Sequence, residues 1–301
     1  MDNNDARKPC HVSVMPAEVI EWVTEHNPKV IVDGTYGAGG HSRKLLEVLP
    51  ADAILIGLDR DPAVFERTES EDLDDRLTVF LGSYEQISKA LAACDAERAD
   101  AIVLDLGLSS DQLADRGRGF SFQFPMSPLD LRFDDEEGTP ASDWLLRHSE
   151  SEIADTIYQF GEERFSRRIA RAIVAKNKTD HPVRNVGDLV DICQSCVPRA
   201  KHHDIHPATR TFQALRIAVN DELGILQRTL AAAPDWLNAG GRFAAISFHS
   251  LEDRIVKNAF RGDERWEVLT RKPLRPDEEE IQMNPRSRSA KLRVAARVQT
   301  R

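Results

Sequence analysis

The segment Val30-Ile31-Val32-Asp33-Gly34-Thr35-Tyr36-Gly37-Ala38-Gly39-Gly40-His41 constrains the fold more than any other part of the chain. An apolar run that ends in an acid and breaks into glycines reads as a buried parallel strand feeding a ligand loop. Ser42 to Leu49 carries leucines at helical spacing, so the glycines occupy a strand-to-helix turn, where doubly wound sheets bind nucleotides. A second run, Ile54 to Leu58, ends in Asp59 about 20 residues past the glycines, as a ribose-diol acceptor should. Leu77 to Leu81 predicts a third strand, and Ala101 to Leu104, ending in Asp105, a fourth. With Asp33, Asp59 and Asp105 at one edge, these units predict a single parallel sheet whose site lies along that edge.

The charge of the loop selects among ligands. A dinucleotide sets its pyrophosphate on the helix N-terminus behind the glycines, and an acid at the head of the loop repels it. Asp33 stands there, and Gly37-x-Gly39-Gly40 is not the dinucleotide spacing. A cationic ligand with an α-amino group and a sulfonium, S-adenosylmethionine, suits that acid. An NAD-linked oxidoreductase on a similar sheet is the alternative enzyme class.

At 301 residues the chain is long enough for one large domain or two modest ones. Its first residues are polar and acidic, and no stretch approaches the ~20 apolar residues of a membrane span. Four cysteines are too few for a disulfide framework, and the expectation is a cytoplasmic protein without a membrane partner. The net charge of −10 argues against a nucleic-acid partner only if charge is evenly spread, and it is not. Asn284 to Arg301 has six basic residues and no acid, and Arg164, Arg167, Arg168, Arg171 and Lys176 recur at helical spacing. Either run can also be a solvated face.

The βα rhythm stops after residue 112. Residues 113–205 predict an inserted helical domain between a first (1–112) and a second (206–301) part of the sheet domain. Ser149-x-x-Glu152 and Asn185-x-x-Asp188 are capping boxes for two of its helices. Phe120, Phe122 and Phe124 either offer stacking faces to an unpaired base or plug the seam between domains. Cys193-x-x-Cys196 with His202, His203 and His206 has one pair rather than two and a short gap, so buried thiols explain it better than a metal. Beyond Thr209, Leu215 to Leu230 reads as helix and Gly240-Gly241 as a turn. Phe243 to Phe248 is a strand leading to His249, and Trp266–Thr270 and Leu292–Val298 are short strands able to pair antiparallel.

Several long strings together resemble one family. They are Val32 to Ser42, Leu58-Asp59-Arg60-Asp61-Pro62, Asp105 to Leu113, Arg118 to Phe122 and Tyr158 to Phe165. To these add His206 to Arg216, Ser247 to Lys257 and Asn284 to Arg288. From about His11 to Arg297 the chain resembles the bacterial small-subunit ribosomal RNA cytosine-N4 methyltransferases, the RsmH or MraW family. The resemblance implies a Rossmann-like class I S-adenosylmethionine-dependent methyltransferase with a helical insert, acting on a decoding-region cytosine of 16S rRNA within the small ribosomal subunit. By motif it implies that Gly39, Gly40 and His41 hold the cofactor's amino-acid end, Asp59 the ribose and Tyr84 the adenine, with Asp105 and Gln112 completing the pocket. The sequence departs from the family in having Tyr84 where Phe is common, and in a shorter segment between Phe260 and Asn284.

Methyl transfer to a cytosine amine needs alignment and an acceptor for an amino hydrogen, because the nitrogen lone pair is drawn into the ring. Asp105 is one candidate for that acceptor and His249, after the fifth strand, the other; a structural role for His249 is equally consistent. The base must leave its stack to reach a buried donor. Arg210, Arg286, Arg288 and the Arg164–Lys176 face are the expected phosphate contacts. A non-catalytic protein-binding role for the insert is a third reading.

Overall fold

The computed structural model describes residues 13–198 and 205–299, so His11, His202 and His203 lie outside the described residues. Seven strands form one sheet: β1 (Val30–Asp33), β2 (Ile54–Asp59), β3 (Leu77–Leu81), β4 (Ala99–Asp105), β5 (Leu237–Ser247), β6 (Trp266–Val268) and β7 (Lys291–Arg297). Their order is β3-β2-β1-β4-β5-β7-β6, with β1 to β5 parallel and β7 antiparallel to both its neighbours. This is the Rossmann-like class I methyltransferase sheet that the sequence led us to expect, closed by the antiparallel pair read from its last residues.

The strands read as unbroken apolar runs because helices cover both faces, so neither phase of the alternation meets water. Val32, Ile56, Ile102, Leu104 and Phe243 point to one face, onto Ile87, Leu91, Leu226, Leu230 and Val256 of the covering helices. Ile31, Leu55, Val103 and Ile246 point to the other, onto Val19, Val23, Leu45 and Val64. Phe243, Phe260 and Trp266 meet edge-on or tilted at centroid distances of 5.3–5.9 Å, a geometry aromatic rings favour. No helix among the described residues is long and apolar enough to cross a membrane.

The chain divides into two compact units, one containing the residues up to Asp111 and from Leu223 onward, the other Gln112–Glu222. The second boundary therefore falls later than the expected 205/206. Helix Thr209–Asn220 packs on helix Glu150–Gly161, and the contact is so close that a Cβ on Gly161 would lie 2.4 Å from the Arg210 carbonyl oxygen. Asp221, in the left-handed region at φ 50°, then ends that helix and splits the expected Leu215–Leu230 helix in two. Both expected capping boxes are present, at Ser149/Glu152 and Asn185/Asp188. Gly240-Gly241 is not a free turn: it lies inside β5, where the register to β4 shifts between Ala99 and Ala101, and Gly240 takes φ 80°. The register to β4 jumps from Leu237 to Arg242 and the pairing to β7 begins at Arg242, so the two glycines form an unpaired bulge that keeps a turn-like backbone within β5.

Gly161→Ala is expected to cost about 1–3 kcal/mol, because the new methyl group meets backbone that cannot yield. Phe243→Ala, at a fully buried position, is expected to cost about 3–5 kcal/mol. Urea denaturation of each variant against the parent chain measures both.

Candidate functional site

Register sets the depth of each strand-end acid. Asp33 is level with Gly57 of β2 and Val103 of β4, so Asp59 and Asp105 each stand two residues further toward the C-terminal edge. Asp33 is 1% exposed; its Oδ2 accepts from Ser42 Oγ at 2.7 Å and its Oδ1 from the Thr35 N–H at 3.2 Å. Burial pushes its carboxyl above the usual range, against the pull of His41 and Ser42. Asp33 thus shapes the loop and supplies charge from beneath the site's floor. Gly37 and Gly39 take left-handed φ values of 52° and 72°, which glycine adopts without a Cβ penalty. A Cβ on Gly39 would also lie 2.7 Å from the Tyr36 hydroxyl.

Asp59 is oriented by its surroundings: Oδ1 accepts from the Asp61 N–H at 3.0 Å and Oδ2 from the Gly37 N–H at 2.7 Å. Burial lifts its carboxyl to about 6, against those two hydrogen bonds. Asp105 donates its backbone N–H to Thr35 Oγ1 at 2.6 Å, which links the ends of β4 and β1. Its Oδ2 lies 3.4 Å from His41 Nε2, whereas its Oδ1 is buried without a hydrogen-bond partner. Burial is the largest influence on the 5%-exposed His41 and disfavours its charged form. The carboxylates of Asp105, Asp33 and Glu280 together outweigh it, so the imidazole is raised above the ordinary histidine value.

Gly39 caps helix Gly40–Leu46, so Gly39, Gly40 and His41 stand at one helix start beside Asp33 and Asp105. Tyr84 opens a 3₁₀ turn directly after β3, and a Cβ on Gly34 would meet Tyr84 Cβ at 2.8 Å, so the tyrosine abuts the start of the glycine loop. Gln112 is buried in the short helix Ser110–Ala114, at the first residue of the second unit. His249 is the N-cap of helix Ser250–Gly262: its Nδ1 accepts from the Glu252 N–H at 3.4 Å, and its Nε2 lies 3.0 Å from Glu252 Oε1. The Glu252 carboxylate, itself 3% exposed, returns bonds to the Phe248 and His249 N–H groups. His249 thus caps the helix through Nδ1, while its Nε2 is buried beside Glu252 without a hydrogen-bond partner.

Sequence reasoning missed four members of this neighbourhood. Thr35 and Ser42 lie within the glycine motif, and a hydroxyl near a buried acid was the available signal. Glu280 accepts from the Met15 N–H at 2.7 Å across 265 residues, and Arg67 donates to the Gly37 carbonyl from another helix. Neither has a local pattern that would disclose it.

The second unit gives the other candidates their surroundings. Phe120 is buried against Phe133 at 5.8 Å, Phe122 packs on His206 and Phe212 at 4.8 Å each, and Phe124 lies beneath the Arg116 guanidinium. All three rings make packing contacts within this unit, with Phe120 buried and Phe122 and Phe124 half-exposed. Cys193 and Cys196 are buried on helix Val186–Cys196, and burial pushes the Cys193 thiol up to about 12. Arg164, Arg167, Arg168 and Arg171 are exposed, whereas Lys176 pairs with Asp188 at 2.6 Å. In the first unit, Arg286 and Arg288 are exposed on the 3₁₀ turn Pro285–Ser289.

Comparison with known proteins bears on this geometry. The model of the MraW methylase family matches residues 8–298. Ribosomal RNA small subunit methyltransferase H of Rhodopirellula baltica is 65% identical over 299 residues, covering 96% of this chain and 92% of that protein. The proteins of the same name from Synechococcus elongatus and Deinococcus deserti are 47% and 46% identical, covering 96% and 99% of this chain and 95% and 96% of theirs. A match along nearly the whole sequence, to relatives of nearly the same length, establishes descent rather than a shared sheet alone: the chain belongs to the MraW methylase family.

Proposed function

We propose that the chain transfers a methyl group from S-adenosylmethionine to the N4 amine of a cytosine in the decoding region of 16S rRNA. The observation that carries this reading is the set of three carboxylates, Asp33, Asp59 and Asp105, gathered at the C-terminal ends of β1, β2 and β4 around one glycine loop. Two buried atoms without hydrogen-bond partners, Asp105 Oδ1 and His41 Nε2, fit a ligand rich in polar groups at that place. The names of the relatives support small-subunit rRNA as the substrate class.

S-adenosylmethionine supplies an activated methyl group on a sulfonium, which leaves as S-adenosylhomocysteine when the carbon–sulfur bond breaks. The protein's part is alignment and proton handling. Asp59, with both oxygens already oriented by backbone N–H groups, receives the ribose hydroxyls. The His41 imidazole lies beside Asp105 Oδ2, at 3.4 Å, leaving Oδ1 to accept a hydrogen of the cytosine amine. Drawing on that hydrogen returns lone-pair density to N4 for attack and gives the departing proton a destination. Asp105 is therefore the acceptor in this mechanism, and His249 supports the end of β5 as a cap. The exposed arginines of residues 164–171 and, separately, Arg286 and Arg288 supply contacts to RNA phosphates.

Three outcomes test the reading. Small subunits from a strain lacking this gene should take up label from methyl-labelled S-adenosylmethionine, with the label mapping by mass spectrometry to N4-methylcytidine. Absence of uptake, or a methyl group on another atom, would falsify it. Calorimetry should detect S-adenosylhomocysteine binding and no NAD binding, the opposite of an oxidoreductase.

Asp105→Asn should lower kcat by about 100-fold or more. His249→Ala should cost about 1 kcal/mol of stability and change kcat far less.

The pH dependence follows from Asp59. Its ionised form, the acceptor of both hydroxyls, prevails only above about 6. Affinity for S-adenosylhomocysteine should rise as pH increases through that value, with a proton released on binding. The unliganded protein behaves oppositely: its folded carboxyl holds a proton more tightly than the unfolded chain's, at 3.8, so this group's contribution to stability is lost as pH rises between the two. Asp59→Asn should abolish both dependences, measured by calorimetry and thermal melting across that range.

A further inference from the structure

The glycine loop is fastened at Gly37 from both sides. Its N–H donates to Asp59 Oδ2 at 2.7 Å, and its carbonyl accepts from Arg67 Nη2 at 2.5 Å. Arg67 lies on helix Pro62–Ser70, which follows β2, so the second bond crosses to the connection after β1. Arg67 Nη1 donates to Asp111 Oδ2 at 2.7 Å, on the segment after β4, and Nε lies 3.5 Å from Glu71 Oε1. One guanidinium thereby joins the connections that follow β1, β2 and β4, the three strands whose ends carry the acids. A planar fork with several donors can serve these partners at once, whereas a lysine ammonium on a flexible stem cannot hold the same geometry. The two peptide units that flank the Gly37 Cα are each held: the 36–37 unit donates to Asp59, and the 37–38 unit accepts from Arg67, so the residue is restrained on both sides of its φ/ψ pair. Asp111 and Glu71 offset the arginine's charge, so the clamp does not oppose a cationic donor.

We propose that Arg67 is a positioning residue for the methyl donor: with Asp111 it holds the Gly37 carbonyl, restrains the backbone at Gly37, and so steadies the adjoining N–H that orients the Asp59 carboxylate expected to receive the ribose. This rests on the S-adenosylmethionine reading given above. The test is calorimetric binding of S-adenosylhomocysteine to the parent chain and to Arg67→Met, Arg67→Lys, Asp111→Asn and the Arg67→Met/Asp111→Asn pair, with thermal melting of each unliganded protein. Arg67→Met is expected to weaken binding about 5- to 10-fold, Arg67→Lys less, and Asp111→Asn about 2- to 3-fold, reduced for the partial exposure of the pair. The double variant should bind about as weakly as Arg67→Met alone, because both changes break one network. In steady-state assays the KM for S-adenosylmethionine should rise while kcat stays within about twofold. The assignment is overturned if Arg67→Met binds within twofold of the parent chain, if kcat falls in place of a rise in KM, or if affinity falls only in step with unliganded stability. A parent chain that binds no S-adenosylhomocysteine would overturn the methyltransferase reading along with it; normal parent binding with an unaffected variant overturns this assignment alone.

Discussion

The hydrogen bond between Asp33 Oδ2 and Ser42 Oγ, buried from solvent, is the constraint on which the site depends. A carboxyl at the end of a buried strand is costly unless the chain returns donors to it. The sequence meets that need within a few residues, through the Thr35 N–H and the Ser42 hydroxyl. To bring both donors back, the backbone must reverse through left-handed glycines, and the reversal delivers the start of helix Gly40–Leu46 to the edge of the sheet. His41 arrives beside Asp105 for that reason. The loop is a consequence of satisfying one acid, and the ligand site is a consequence of the loop.

Around this centre the other acids are graded by depth and by what already holds them. Asp33 is held by Ser42 and the Thr35 N–H, Asp59 by two backbone N–H groups, and Asp105 keeps one oxygen without a partner. The register of the parallel strands produces that gradation, since β2 and β4 each extend two residues beyond the level of Asp33. Three similar side chains therefore have three different hydrogen-bonding situations.

Much of this was legible because its causes are local. The break from apolar run to glycines, the acids at strand ends and the two capping boxes each express their physics within a few residues, and the sheet follows from them. The parts that escaped depend on contacts distant in sequence. Helix Thr209–Asn220 has the same periodicity whichever core it serves, and contacts distant in sequence, at Gly161, Phe122, Phe160 and Leu131, assign it to the second unit. Gly240-Gly241 carries a turn's composition and keeps a turn-like backbone, but as a bulge between the paired residues Leu237 and Arg242 of one strand rather than as a link between two elements. Glu280 and Arg67 reach the site from elements with no pattern of their own, and the capping bond from the Glu252 N–H to His249 was not legible from the sequence around His249.

The placement of β5 between β4 and β7 has a consequence for how the polypeptide is made. Some 130 residues, including the whole second unit, separate the end of β4 from the start of β5. At ordinary elongation speeds, β4 leaves the translating ribosome on the order of 10 s before its neighbour exists. For that interval its unpaired backbone edge is open to other chains, so the nascent half-sheet relies on chaperones or on delayed docking to escape association. A fold that closes only when its last segment arrives is most vulnerable while it is being built.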